Sequence, residues 1–365
     1  MKHELKEIVK HFQLPGDFLE AAPYGSGHIN DTYASRFGVG PGVVRYIHQR
    51  INHTVFTAPE KLMENIARVT FHARKQIIAR GGDPQRETLT LIPTVDGNSF
   101  YHSPAGDYWR TYVFIEGAQT YDQVVDLRHV YSANKAFGDF QKLLSDLPGA
   151  RLHETIAGFH HTRSRFEAFI KAVEADTQNR AASVKNEIDF ALARAADTSV
   201  IVDLLARGAL PERITHNDTK LNNVMLDDLT GEAVCVIDLD TVMPGSALYD
   251  FGDSVRIGAA TAAEDERNLD KVGVSLDLFD RLAHGYLDAT REFLTPAETR
   301  LLPFSAKLMT FECGLRFLTD HLRGDVYFKT HRPNHNLDRC RTQFKMTAEM
   351  ERKMEEMEAI IKRYR

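Results

Sequence analysis

Cysteine is scarce in this chain. The three in 365 residues, Cys235, Cys313 and Cys340, are odd in number and far apart. Such spacing excludes a disulfide framework and a zinc set, and it suits a reducing compartment. Long apolar runs are missing as well: none reaches the roughly 18 residues of a membrane span. The opening "MKHELKEIVKHF" is charged where a signal peptide would be apolar. The expectation is a soluble, cytoplasmic protein. A long basic run is also lacking and the net charge is −6, which speaks against a nucleic-acid binder. It does not exclude an anionic ligand, since local lysines, magnesium and backbone amides make positive pockets in acidic proteins. No fixed-period repeat, low-complexity linker or sign of an obligate protein partner is present.

What remains is ordinary for a globular chain, 43% hydrophobic and 26% charged, with room for one long or two moderate domains. Residues 3–14 read as a short amphipathic helix stopped by Pro15-Gly16. "YGSGHINDTYASRF" and "GVVRYIHQRIN" read as β-segments around glycine turns. "APEKLMENIARVTFHARKQIIA" is helical, with Leu62, Ile66, Val69 and Ala73 on one face and Gly81-Gly82 as its stop. "TLTLIPTVDGNSFYHS" reads as a hairpin turning at Asp96-Gly97, and "YWRTYVFIEG" as one more strand. Beyond it the chain turns helical: 127–147, one or two helices within 162–208, then most of 277–365. A strand-like island at 233–242 interrupts. The stripe Met346, Met350, Met354, Met357 and Ile361 reads as core packing. The fold class expected is α+β and bilobal, with a strand-rich lobe over residues 1–116 and a larger helical lobe over 117–365.

Two polar clusters stand against this apolar background. In "AVCVIDLD", Asp238 and Asp240 are two apart, so on a strand both face the same side. Two such carboxylates repel unless a cation or donor lies between them. Magnesium, which takes carboxylate oxygens and shares its shell with phosphates, is one solution. A strand end that meets water is the other. In "THNDTKLNN", Asp218 is followed two residues on by Lys220 and five on by Asn223. Phosphoryl transfer needs a carboxylate for the incoming hydroxyl, a cation for the migrating phosphoryl and ligands for Mg²⁺. Asp218, Lys220, Asn223 and Asp238 supply those parts. His216 is expected to brace the loop backbone. The turn "YGSGHIN" lacks the third glycine and following helix of a dinucleotide fold, and the chain has no GKS or GKT. A glycine turn between two strands instead fits a flap over nucleotide phosphates.

These phrases resemble the aminoglycoside phosphotransferase/choline kinase superfamily, relatives of protein kinases. "GSGHIN", "HNDTKLNNVMLD", "VIDLDTVMPG", "YDFGD" and "CGLRFLTDHLRGDVYFK…HNLDR" are, within it, similar to the N-acetylhexosamine 1-kinase group. The likeness spans nearly the whole chain. It implies a protein-kinase-like fold that transfers phosphate from ATP, with Mg²⁺, to the anomeric hydroxyl of GlcNAc or GalNAc. Carried over, it makes Asp218 the base, Asn223 and Asp238 the metal ligands, and Gly25, Ser26 and Gly27 the phosphate flap. Phe114, Ile115 and Glu116 become the hinge beside adenine, and Asp250 a brace for the loop. His28, Asp218, Arg316 and Tyr327 become the sugar contacts, though Arg316 could equally be a helix salt bridge and Tyr327 a packed aromatic.

One departure stands out. Kinase relatives carry a lysine or arginine on the third strand, paired to a helix glutamate. Here that position is Gln49, with Arg50 beside it and Glu64 in the next helix. If Gln49 faces the phosphates, the charge comes from elsewhere, Arg50 or Lys220. Three rivals stand beside the sugar-kinase reading. Another small hydroxyl acceptor keeps the fold, but choline needs an aromatic cage and the chain has one tryptophan, Trp109. A dead nucleotide-binding scaffold would be expected to lose Asp218, Asn223 or Asp238, and all are present. A metal-dependent hydrolase would not need the glycine flap.

Overall fold

The structure, a computed structural model, describes residues 3–25, 27, 29–122 and 126–365. A five-stranded antiparallel sheet forms the first lobe, in the order β1-β2-β3-β5-β4: β1 Asp17–Pro23, β2 Asp31–Val39, β3 Gly42–Ile51, β4 Tyr101–His102 and β5 Tyr108–Val113. Alternation divides its residues between two faces. On one, Tyr33, Phe37, Tyr46 and Trp109 join Leu5, Val9 and Phe12 from the amino-terminal segment, where α1 (Leu5–Ile8) runs into a 3-10 turn. His48 lies on that face too, fully buried between Ser35 Oγ (2.6 Å) and Thr111 Oγ1 (2.9 Å). Burial pushes its imidazole down to about 3, so it is neutral.

On the other face Ile51 and Tyr112 meet α2 (Pro59–Ala79), which buries Leu62, Ile66 and Val69 as its spacing predicts. Two expectations need correction. The chain already enters the sheet at Asp17, as β1. The Asp96-Gly97 turn forms, with Gly97 at φ +84°, but its arms pair elsewhere: Leu91 bridges Tyr112, and Tyr101 pairs with Trp109. The arms gain more by extending the existing sheet than by a free two-stranded ribbon, which is marginal alone.

The second lobe is helical: α3 Leu127–Leu143, α4 Thr162–Ala175, α5 Lys185–Leu192, α6 Val200–Ala206, α7 Ala247–Gly258, α8 Leu276–Thr290, α9 Pro296–Arg323, α10 His335–Arg352 and α11 Met354–Arg363. Short strands lie where it meets the sheet lobe: β6 Ala118–Gln119, β7 Arg213–Thr215, β8 Val224–Asp227, β9 Ala233–Val236 and β10 Met243–Gly245, paired as β6-β8-β9 and β10-β7. Met346, Met350, Met357 and Ile361 are buried in the core built by α7, α8 and α9. The methionine stripe is therefore packing, broken at Lys353 between α10 and α11. Among the described residues no helix is long and apolar enough to cross a membrane, and all three cysteines are free.

Helix α7 lies against α9 at Gly252, where an added Cβ would sit 2.5 Å from Met309 Cγ and from the Ser305 carbonyl oxygen. The carbonyl belongs to a helix backbone and has no room to yield. Gly252→Ala is expected to destabilise the protein by about 1–3 kcal/mol, read as a lower midpoint of thermal unfolding. An unchanged midpoint would show that α7 and α9 are free to separate.

Candidate active site

Strand β7 delivers the chain to His216, and the next residues form a loop instead of continuing the strand because α7 captures their backbone. Asp250, in the first turn of α7, accepts the His216 N–H at Oδ2 (2.9 Å) and the Asn217 N–H at Oδ1 (2.7 Å). Gln141 Nε2 donates to it as well (2.5 Å), so a fully buried carboxylate is hydrogen-bonded on every side. One helical turn on, Asp253 accepts the Thr219 N–H (3.1 Å), and Thr219 Oγ1 donates to the Asp250 carbonyl (2.6 Å). Asn217 takes up a left-handed conformation at φ +65°, one that asparagine tolerates better than most residues. Its amide holds the carbonyls of Thr215 and Thr241.

His216 braces the loop, as expected. It is buried beside Phe137 and Phe140, and its Nε2 lies 2.8 Å from the Ile237 carbonyl oxygen. A carbonyl only accepts, so Nε2 carries the proton and Nδ1 is left to accept the Asp218 N–H (3.3 Å).

The loop brings Asp218, Lys220 and Asn223 together. Lys220 Nζ stands 2.9 Å from Asp218 Oδ2. Burial works to lower the ammonium's pKa, but the Asp218 charge outweighs it and raises it. Asn223 Nδ2 donates to the Asp218 carbonyl (2.7 Å) and to Oδ2 (3.1 Å), which leaves its own Oδ1 as an acceptor without a described donor.

Asp238 departs from the expected strand geometry. Strand β9 stops at Val236, Asp238 is left-handed at φ +58°, and Leu239–Thr241 form a 3-10 turn. Asp238 and Asp240 therefore do not lie side by side on a strand. Asp240 is buried and neutralised by Arg110, and it accepts Asn30 Nδ2 at 2.6 Å. Asp238 has no hydrogen bond or ion pair among the described residues. Burial first, then the Asp240 and Asp218 charges, push its pKa up to about 6.

That donor set fits magnesium. One unpaired carboxylate and one free amide oxygen are hard ligands, and two protein oxygens leave the rest of an octahedral shell to phosphates and water. The raised pKa marks a place where a cation would relieve the accumulated negative charge.

The third strand explains the missing lysine. Gln49 faces the same side as its cross-strand partner Arg110 on β5, and the Arg110 Nε donates to Gln49 Oε1 at 2.9 Å. Gln49 in turn donates to Thr32 Oγ1 (3.1 Å). Arg50 points to the opposite face, where Asp31 and Asp107 hold its guanidinium. It is thus not the substitute charge. Glu64 is bound to His153 at 2.9 Å, not to a third-strand residue.

Gly25 and Gly27 lie in the turn between β1 and β2. A Cβ on either would meet nothing within 4 Å, and Gly25 is left-handed at φ +79°. Ser26 and His28 lie outside the described residues. Phe114 and Ile115 are buried directly after β5, and Glu116 pairs with Arg45, whose guanidinium covers the Phe114 ring at 3.6 Å.

Arg316 and Tyr327 come together on α9 and the turn that follows it. The Arg316 guanidinium faces Phe159 (5.4 Å), Phe328 (5.4 Å) and Tyr327 (6.0 Å) and has no hydrogen bond or ion pair among the described residues. The salt-bridge alternative for Arg316 thus finds no partner among those residues. Tyr327 is 63% exposed rather than packed, on a turn shaped by the buried Asp320, which accepts the N–H groups of Val326, Tyr327 and Phe328.

The profile of the phosphotransferase enzyme family (APH) matches residues 20–293. The chain belongs to that family. Among solved structures, an aminoglycoside phosphotransferase from Alicyclobacillus acidocaldarius subsp. acidocaldarius DSM 446 superposes with a TM-score of 0.56 at 12% identity, covering 98% of this chain and 95% of that one. A choline kinase from Cryptosporidium parvum Iowa II gives 0.57 at 13% identity, covering 96% of each chain. The ADP-bound aminoglycoside phosphotransferase APH(2'')-Ib gives 0.50 at 11% identity, covering 95% of this chain and 98% of that one. At these identities the likeness establishes the bilobal, protein-kinase-like fold of the family and leaves the acceptor open.

Three residues near the loop were not singled out in the sequence. Arg110 carried a signal, a lone cation within the aromatic strand "YWRTYVF". Glu312 and His160 carried none, being 152 positions apart and joined only by folding (Nδ1 to Oε1, 2.9 Å). His160 Nε2 lies 3.0 Å from the Asn217 carbonyl oxygen, so this buried pair ties α9 to the loop. Glu312 is one helical turn from Arg316.

Burial works to lower the His160 pKa, but Glu312 outweighs it and raises it above the usual 6.5. Burial works to raise the Glu312 pKa, and His160 and Thr162 hold it below 4.5. The histidine's contribution to stability is complete below its unfolded pKa and fades as the pH rises through its folded one. The glutamate's contribution is present above its unfolded pKa and fades as the pH falls through its folded one. The pair is therefore fully stabilising between about 4.5 and 6.5. In Glu312→Gln the loss of thermal stability on raising the pH above that window should be much shallower than in the wild type. Parallel curves would show that the pair does not carry the charge assigned to it.

Proposed function

We propose that this phosphotransferase transfers the γ-phosphoryl of ATP to the anomeric hydroxyl of an N-acetylhexosamine, GlcNAc or GalNAc, giving the sugar 1-phosphate and ADP. The observation that carries the transfer is the convergence of Asp218, Lys220 and Asn223 on one loop, with the unpaired Asp238 close enough to feel the Asp218 charge. In this reading residues up to 116 form the nucleotide lobe, the Gly25–Gly27 turn covers the phosphates, and Phe114–Glu116 form the adenine edge. Asn223 Oδ1 and the Asp238 carboxylate would hold Mg²⁺. When bound, the ion offsets the charge of the nucleotide phosphates.

The chain's own residues do the rest. Asp218 accepts the proton of the C1 hydroxyl, whose oxygen forms the new bond to phosphorus as the bond to ADP breaks. Lys220, kept charged by its contact with Asp218, offers a cation to the migrating phosphoryl. The Asp250 and Asp253 braces fix the loop in advance, so that catalysis comes mainly from positioning.

The acceptor assignment rests on the family resemblance and on one electrostatic argument. The aromatic faces of Phe159, Tyr327 and Phe328 are already occupied by an unpaired guanidinium, and Arg165 lies near enough for burial and Arg316 together to lower its pKa. Two cations beside the acceptor would repel choline, ethanolamine or a polycationic antibiotic. A neutral sugar with carbonyl and hydroxyl oxygens suits them. A neutral sugar without the acetamido group is the second reading, since the same donors would serve it.

The test is ADP release with ATP and Mg²⁺ over a panel of GlcNAc, GalNAc, glucose, galactose and choline. Turnover is expected with the N-acetylhexosamines and none with choline; no turnover with either N-acetylhexosamine would overturn the acceptor. Asp218→Asn should lower kcat by about 10²–10⁴-fold, the range of a positioned base, while MgATP affinity measured by calorimetry stays close to wild type. Near-normal turnover in that variant would remove Asp218 from the mechanism.

A further inference from the structure

The third strand presents glutamine where related kinases present a cation, and a cation nevertheless stands at the same place. Arg110 reaches it from the neighbouring strand. Its guanidinium is 1% exposed and held at two points: Nε donates to Gln49 Oε1 at 2.9 Å, and Nη1 pairs with the Asp240 carboxylate. Its remaining nitrogen, Nη2, has no hydrogen bond among the described residues. Asp240 extends the connection, accepting Asn30 Nδ2 (2.6 Å) while its carbonyl accepts Thr155 Oγ1 (2.8 Å). Asn30 Oδ1 accepts the Asn52 N–H at 2.9 Å, just past the end of β3. The network thus ties the sheet lobe to the turn that holds Asp238, two residues before Asp240.

Burying an arginine–aspartate pair is expensive, and a pair whose only task is cohesion is often replaceable by apolar residues without loss. Here the pair lies beside Asp238, a carboxylate that lacks a partner among the described residues. The neutral Gln49 also has a defined task, accepting from Arg110 and fixing its plane. A lysine at 49 would repel Arg110, so strand three and strand five cannot both carry the cation.

We propose that Arg110 is the positioning cation of the nucleotide site, transferred from the third strand to the fifth. It fixes the Asp238–Asp240 turn through Asp240 and keeps one guanidinium nitrogen, Nη2, as a donor for the nucleotide's phosphates. The inference rests on the ATP reading of the cleft, and its test uses nucleotide binding without any acceptor.

Three proteins are compared with the wild type: Arg110→Lys, the double variant Arg110→Met with Asp240→Asn, and that double variant with Gln49→Lys added. Removing both charges leaves neither member of the pair as an unpaired buried ion, and thermal unfolding and circular dichroism check the fold. The double variant should bind MgATP about 10- to 100-fold more weakly, because the nucleotide loses its guanidinium donor and the turn its anchor. The KM for ATP should rise far more than that for the acceptor. Adding Gln49→Lys should restore much of the affinity by returning a cation to strand three. If the double variant fails to fold, Arg110→Lys decides: a point charge cannot hold Gln49 and Asp240 together, so weaker MgATP binding is again expected. A folded variant with wild-type MgATP affinity and only a lower melting temperature would overturn the proposal and leave Arg110 a structural pair. A wild type that does not bind MgATP would overturn the kinase reading as well. A wild type that binds MgATP but leaves hexosamines untouched would overturn only the acceptor assignment.

Discussion

A carboxylate sealed away from water must find donors within the protein, and the donors Asp250 finds are the backbone amides of His216 and Asn217. Because backbone groups have fixed places in the chain, satisfying that charge dictates the path of the loop. Asp218 follows immediately, so its position is a consequence of where α7 begins. Helix α7 in turn is set by its close approach to α9 at Gly252. The same device recurs at the other end of α9, where the buried Asp320 gathers three consecutive N–H groups and shapes the turn that offers Tyr327. The catalytic-loop candidate and the turn at Tyr327 are thus both shaped by burying an acid and letting the backbone come to it.

Charge is distributed unevenly over that frame. Asp240 is neutralised by Arg110, Asp218 is shared by Lys220 and Asn223, and Glu312 is held by His160 and Thr162. The Asp238 carboxylate and the Arg316 guanidinium, by contrast, have no hydrogen bond or ion pair among the described residues. An unbalanced anion beside a free amide oxygen asks for a hard cation, and an unbalanced cation among aromatic rings asks for oxygen acceptors. The proposed substrates, a magnesium nucleotide and an amide-bearing sugar, supply these two requirements. In the proposed reading, binding removes the deficits that folding leaves in place.

Much of this was legible in the chain, for reasons that differ by element. Helix α2 and the methionine stripe announced themselves through periodicity, which is a local property. The loop at 215–223 was legible because its polar residues contradict the apolar run that follows. The short strands β7, β8 and β10 were not, since three or four residues carry too little pattern and form only by pairing across the fold. The left-handed turn at Asp238 was missed because aspartate adopts it without any glycine to mark the place. Arg50 and Arg110 are the most instructive pair: both sit on strands of the sheet lobe, and only register decides that Arg110, not Arg50, meets Gln49 and Asp240. Ser26 and His28, expected in the glycine turn, lie outside the described residues.

The proposed chemistry comes down to one bond, between phosphorus and the anomeric oxygen. The NMR spectrum of the product formed from GlcNAc, ATP and Mg²⁺ reports on that bond. Transfer to C1 should give an anomeric proton split by coupling to phosphorus, with the C6 protons unaffected. Phosphorus coupled to C6, or a sugar recovered unphosphorylated while ADP accumulates, would contradict it.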